Sequence, residues 1–193
     1  RLFSIPQKYA NWYLADLFMV LYHEIGHYEE AQRQRLDPSL YTELTPFWVN
    51  GGINIENEGI GRDNNARRAI AGFVNVGNLA EQLKHDILLG NIPEQNLRFV
   101  SMLALISELN LPVYFGMHYS GSARNGDDIN DFTENSGISP ETMAISSGIH
   151  LLVNAPYMYY LAKNAFGSVP TIPKKKDYFI SFRYNGDSYM INF

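Results

Sequence analysis

"LYHEIGHY", residues 21–28, places two histidines and a glutamate inside an otherwise apolar run. His23 and His27 are four residues apart, so on a helix they lie one turn apart on the same face. Both can then offer a ring nitrogen to one ion. Zinc takes imidazole nitrogens at about 2.0–2.1 Å, and a catalytic zinc site uses three protein ligands with a fourth position open. Glu24, beside His23, points to a general base: it would take a proton from an attacking water and pass it to a leaving amine. The plainer alternative is a pair of packed helical histidines. Without a cation, though, two buried imidazoles and a carboxylate need other partners to offset their desolvation.

A helix is expected around this motif from about Gln7 to Arg35, with Trp12, Leu17, Val20, Leu21 and Ile25 among its apolar positions. Asp37-Pro38 ends it, because a residue before proline avoids the helical region. In "PFWVNGGINIE", 46–56, two β-prone runs flank Asn50-Gly51-Gly52, which predicts a hairpin turning at those residues over Phe47 to Ile55. A second helix is expected from about Asn64 to Leu89, capped by Asp63 and closed by Gly90. Its stripe is Ala66, Ile70, Phe73, Val74, Leu83 and Ile87. Gly72 and Gly77 inside it each cost about 1 kcal/mol against alanine, which points to a close neighbour at both.

A third helix is expected from Pro93 to Leu109, stopped by Asn110 to Pro112. The loop-like "HYSGSARNGDDINDF", 118–132, leads into a short helix ended by Gly137. A last helix starts at Ser139-Pro140-Glu141, bends near Pro156 and stops at Gly167. "YFISFRYNGDSYMINF", 178–193, reads as a terminal hairpin about Asn185-Gly186. The expected architecture is mainly α (α+β): one domain over 1–193, with a metal helix, a small hairpin after it and a second hairpin at the C-terminus.

Composition narrows the functions. A formal charge of −5 argues against a sequence-independent grip on nucleic acid, which needs a basic surface. Lys174, Lys175 and Lys176 beside Pro173 read as a solvated turn rather than a phosphate site. The absence of cysteine excludes disulfides, thiolate zinc ligands and thiol nucleophiles. No membrane span is expected, since Asp16 interrupts Trp12 to Tyr22, and Ser101, Glu108, Asn110 and Pro112 interrupt Phe99 to Met117. Peripheral membrane contact stays open, because the aromatic "SYMINF" end could lie near a surface. The chain opens on Arg1 rather than Met, so a preceding segment is expected, and export to the periplasm or envelope is favoured over the cytoplasm.

"HEIGH" resembles the metal helix of zincin metallopeptidases. "HEIGHYEEAQ" and "ARRAIAGFVNVGN" are more narrowly similar to site-2-protease-like metallopeptidases. In those, a β excursion with a Gly-Gly turn follows the metal helix, here Gly51-Gly52. A helix with an alanine-glycine-x-x-x-asparagine stretch comes next, matched loosely by Ala71 to Asn75. The likeness covers the first half of the chain. The hydrophobic spans and the Asn-Pro-Asp-Gly-type ligand motif of those enzymes are missing, so intramembrane cleavage is not implied.

Four places offer a third ligand. Asp127 and Asp128 open the short helix, where they could equally cap it and complement its dipole. Glu81 sits along the stripe of the second helix, within reach of Lys84 or His85. Glu58 lies in "IENEGIG", and His150 lies on the last helix with Asn154 one turn on. Asp128 is favoured, because an aspartate ligand suits the site-2-protease-like pattern. His118 and Tyr119 could stabilise an oxyanion or simply pack. The expectation is therefore a zinc-dependent peptidase acting on a peptide or protein substrate. Glu24 would be its base, and His23, His27 and Asp128 would hold Zn2+. The alternative is a catalytically silent metal-binding or interaction domain.

Overall fold

The chain folds as the apolar periodicity requires, into long helices with two short hairpins. The computed structural model describes residues 4–46, 49–55, 61–121, 127–171, 181–184 and 189–192. The helices are α1 (Ser4–Arg33), α2 (Arg62–Leu89), α3 (Glu94–Tyr119), α4 (Asp128–Ser136) and α5 (Pro140–Phe166). Strands β1 (Pro38–Leu44) and β2 (Val49–Ile55) pair antiparallel, as do β3 (Ser181–Tyr184) and β4 (Tyr189–Asn192). Glu58, Lys174 to Lys176 and the Asn185-Gly186 turn lie outside the described residues.

Along α1 every fourth residue from Ala15 is buried: Ala15, Met19, His23, His27 and Ala31. The histidines thus continue the stripe that packs α1 into the fold. Val76 of α2 and Met102 of α3 close over Ala15 and Met19. A second cluster joins Ile70 and Phe73 of α2, Phe115 of α3, Ile129 and Phe132 of α4 and Met143 of α5. A third joins Ile87, Leu97, Tyr157 and Leu161.

The helix ends at Gly90, Gly137 and Gly167 fall as expected. Gly90 and Gly137 take left-handed backbone angles (φ 73° and 74°) that favour glycine. Ser139 caps α5 by accepting from the Thr142 amide. Four expectations need correction. Helix α2 begins at Arg62, ahead of the expected cap: Gly61 holds the N-cap position, and Asp63 lies in the first turn, where its charge suits the helix dipole. Helix α3 does not stop at Pro112 but runs on to Tyr119. An interior proline costs about 3 kcal/mol. Here the extra turns bury Phe115 and bring Tyr114 against His23, which offsets that cost. Helix α5 runs through Pro156 to Phe166, the extent expected of it. By length and composition α3 is apolar enough to cross a bilayer, and half of its most apolar stretch is buried inside the fold.

The third correction concerns the first hairpin. Asn50-Gly51-Gly52 is not its turn. These residues lie within β2, with Thr42 opposite Gly51 and Tyr41 opposite Gly52. Glycine inside a strand marks a close approach. A Cβ on Gly51 would stand 2.5 Å from Glu24 Cγ and 2.8 Å from Val20 Cγ1. The hairpin is tied to one face of α1. The Tyr9 hydroxyl donates to the Pro46 carbonyl, the Tyr13 hydroxyl to the Thr45 carbonyl (2.7 Å), and the Val49 amide to Asp16 Oδ2 (3.3 Å). Asp16 therefore interrupts the apolar run because it anchors a strand. Its burial raises its pKa, which the Val49 amide partly counters.

The α1–α2 contact is close because of a second glycine. A Cβ on Gly26 would lie 2.5 Å from the Ala71 carbonyl oxygen and 2.8 Å from Asn75 Cβ. Asn75 Nδ2 donates to the Tyr22 carbonyl at 2.5 Å. Gly77 differs: among the described residues nothing lies within 4 Å of a Cβ there, so the expected close neighbour is absent. Gly26→Ala should lose about 1–3 kcal/mol through overpacking, whereas Gly77→Ala should gain up to about 1 kcal/mol from helix propensity. Urea unfolding of the two variants checks this. Equal effects would contradict the close approach at Gly26.

Candidate metal centre

His23 and His27 project from the buried stripe of α1, and Asp128 meets them from the first turn of α4. His23 Nε2 lies 2.9 Å from Asp128 Oδ2, His27 Nε2 lies 3.2 Å from the same oxygen, and the two Nε2 atoms are 2.9 Å apart. Among the described residues these three form a group that could hold a metal ion. Tetrahedral coordination at about 2.0–2.1 Å sets ligand–ligand edges of about 3.3 Å. The observed triangle needs only a few tenths of an ångström of opening to match.

Each donor is positioned by something identifiable. His27 Nδ1–H donates to the Arg68 carbonyl at 2.7 Å, which leaves Nε2 of the neutral ring as the lone-pair nitrogen facing the centre. The Tyr114 ring stacks on His23, with centroids 5.4 Å apart and planes 19° apart, and the Phe73 ring meets His23 edge-on at 4.9 Å. His23 Nδ1 is buried with no hydrogen-bond partner among the described residues. Gly72 of α2 supplies the space. A Cβ there would lie 2.5 Å from His27 Nε2 and 2.6 Å from His23 Nε2.

The two aspartates divide the roles that the sequence left open. Asp127 is the N-cap of α4: its Oδ1 accepts from the Ile129 amide at 2.7 Å, and its Oδ2 lies 3.2 Å from His118 Nδ1 of α3. Asp128 is thereby released from capping and turned onto the histidines. The remaining candidates are engaged elsewhere. Glu81 pairs with Lys84 (3.7 Å), and His150 Nε2 lies 2.6 Å from Glu108 Oε2. His118 thus anchors the capping residue, and Tyr119 packs edge-on against it, exposed. Tyr114 and Phe73 are the contacts that the sequence reading missed. Had α3 been continued through Pro112, Tyr114 would have fallen one turn before His118 on the same face.

The electrostatics of the group favour a positive charge at this point. Burial raises the Glu24 pKa and the neighbouring histidines partly counter it. For His27, burial works to lower the pKa. The Asp128 charge and hydrogen bond, the Glu24 charge and the Arg68 carbonyl outweigh it and push the value up to about 9. For Asp128, burial works upward, but the two histidines hold the carboxyl well below the usual carboxylate range. Burial, with the nearby Asp128 and Glu24 charges, keeps the Tyr114 phenol protonated.

Compared with protein-family models, with curated proteins and with solved structures, the chain matches none.

These shifts have a measurable sign. The His27 pKa is raised above its ordinary 6.5, so in metal-free protein the pair's contribution is full below about 6.5 and fades as pH rises through about 9. The lowered Asp128 pKa makes the same contribution fade as pH falls below 3.8. A metal must displace the His27 proton, so metal affinity should rise with pH by up to about tenfold per unit until about 9. Calorimetric zinc titrations in buffers of different ionisation enthalpy should register proton release at neutral pH. No release would contradict the protonated pair.

Proposed function

We propose that the chain is a zinc-dependent metallopeptidase-like hydrolase, with His23, His27 and Asp128 holding zinc and Glu24 acting as the general base. The observation that carries this reading is the convergence of two imidazole nitrogens and one carboxylate oxygen on a single point, with Glu24 in the adjacent position of α1. Kinship with site-2-protease-like zincins belongs to the same proposal. The close α1–α2 contact through Gly26, Ala71, Gly72 and Asn75 gives the alanine-glycine stretch a physical purpose.

Zinc bound there would supply a Lewis acid that polarises a carbonyl and acidifies water. The chain's residues supply the rest. Glu24 is buried, and its raised pKa brings it nearer the range in which a carboxylate can both accept and return a proton near neutral pH. Gly51 of β2 lies flush against the Glu24 side chain, so the hairpin holds the base in place. Among the described residues no third strand pairs with that hairpin, and an extended peptide adding to its edge would run beside the base. Two histidines and one carboxylate also suit non-haem iron. The buried Glu24 favours hydrolysis, since a redox site has no use for a base at that position. The same residue argues against a silent metal-binding domain.

Purified protein should carry about one equivalent of zinc, and His23→Ala, His27→Ala and Asp128→Ala should each lose it. Glu24→Gln should keep the metal and lose about 10²–10⁴-fold in turnover of a mixed peptide library. Undiminished turnover in Glu24→Gln would overturn the assigned base. Metal retained by all three ligand variants would overturn the site.

A further inference from the structure

Helix α2 presents Gly72 to the metal centre and a different face to a second cavity. This cavity, of about 630 Å³, lies between α2, α3, α4 and α5. Its size falls in the range of small-molecule sites, about 300–1,000 Å³. Ile70, Phe73, Leu111, Phe132, Ile138 and Met143 make its walls largely apolar. Into one side of it runs a chain of polar groups. Lys84 Nζ, buried, donates to Asn154 Oδ1 at 2.9 Å. Asn154 Nδ2 lies 3.3 Å from His150 Nδ1 and 3.5 Å from Nε2, and His150 Nε2–H donates to Glu108 Oε2 at 2.6 Å.

The chain ends on a carboxylate that accepts through one oxygen and has nothing to accept at the other. Glu108 is 3% exposed and lines the cavity, and its Oε1 has no hydrogen-bond partner among the described residues. Asn110 Oδ1, another lining acceptor, is buried without a partner among the described residues, and so are the hydroxyls of Ser107 and Ser147, which can donate as well as accept. Pro112, four residues after Glu108, also withholds the amide that would bond the Glu108 carbonyl. Buried polar atoms are normally partnered, so several on one cavity call for a ligand rich in donors.

We propose that this cavity binds a small amphiphilic amine, its hydrocarbon body among the apolar side chains and its ammonium group donating to Glu108 Oε1. The site is independent of the metal centre, with the Phe73 ring as their shared wall. Gly77 fits this use. It lines the cavity, and a side chain there would meet no atom within 4 Å, so its place in the helix keeps room open.

Calorimetry with n-octylammonium, n-octanol and octanoate on the intact chain tests this. Saturable octylammonium binding is expected, roughly tenfold or more tighter than octanol, with octanoate weakest. Glu108→Gln should remove that preference for the ammonium. Should Glu108→Gln fail to fold, Gly77→Leu provides the second test: it fills the cavity, favours the helix and should abolish binding. Absence of octylammonium binding, equal binding of octanoate, or unchanged binding to folded Gly77→Leu would each overturn the proposal.

Discussion

Two imidazole nitrogens and a carboxylate oxygen meet within about 3 Å of one another at a point where the facing helix carries no side chain. Gly72 is what permits this: any Cβ would occupy the space beside both Nε2 atoms. The rest of the fold is arranged around that approach. Gly26 lets the Ala71 carbonyl come close, Asn75 fastens α2 to the Tyr22 carbonyl, and the Arg68 carbonyl orients His27. One helix therefore supplies space, a backbone acceptor and a side-chain tie to the other.

The polar groups at the centre make sense as one unit and poorly as separate residues. Asp127 takes over the capping of α4, steadied by His118, and this frees Asp128 for the histidines. Asp128 and His27 each favour the charged form of the other, raising the pKa of the imidazole and lowering that of the carboxyl. Glu24 sits beside this charge, pinned by the flush packing of Gly51. On its other face α2 borders a cavity lined by buried polar atoms without partners among the described residues, so a single helix separates two chemically distinct places.

Much of this was legible in the chain. The four-residue spacing of His23 and His27, the helix stops at Gly90, Gly137 and Gly167, and the strain implied by Gly72 all follow from local rules. Asp128 was favoured on resemblance, whereas its partition from Asp127 depends on His118, which only tertiary packing brings near. The errors share a cause. Asn50-Gly51-Gly52 looks like a turn by local preference, but Gly51 answers to a helix surface more than twenty residues upstream and Gly52 to the Tyr41 ring of the paired strand. Pro112 looks like a stop, yet the packing of Tyr114 and Phe115 outweighs its local cost. Gly77 resembled Gly72 in sequence and differs from it entirely in surroundings.

The most direct measurement is an anomalous difference map collected at the zinc absorption edge from crystals grown with zinc. The account expects one strong peak about 2.0–2.2 Å from His23 Nε2, His27 Nε2 and an Asp128 carboxylate oxygen. A peak held by other residues, or imidazoles bonded only to one another and to Asp128 with no peak between them, would contradict it.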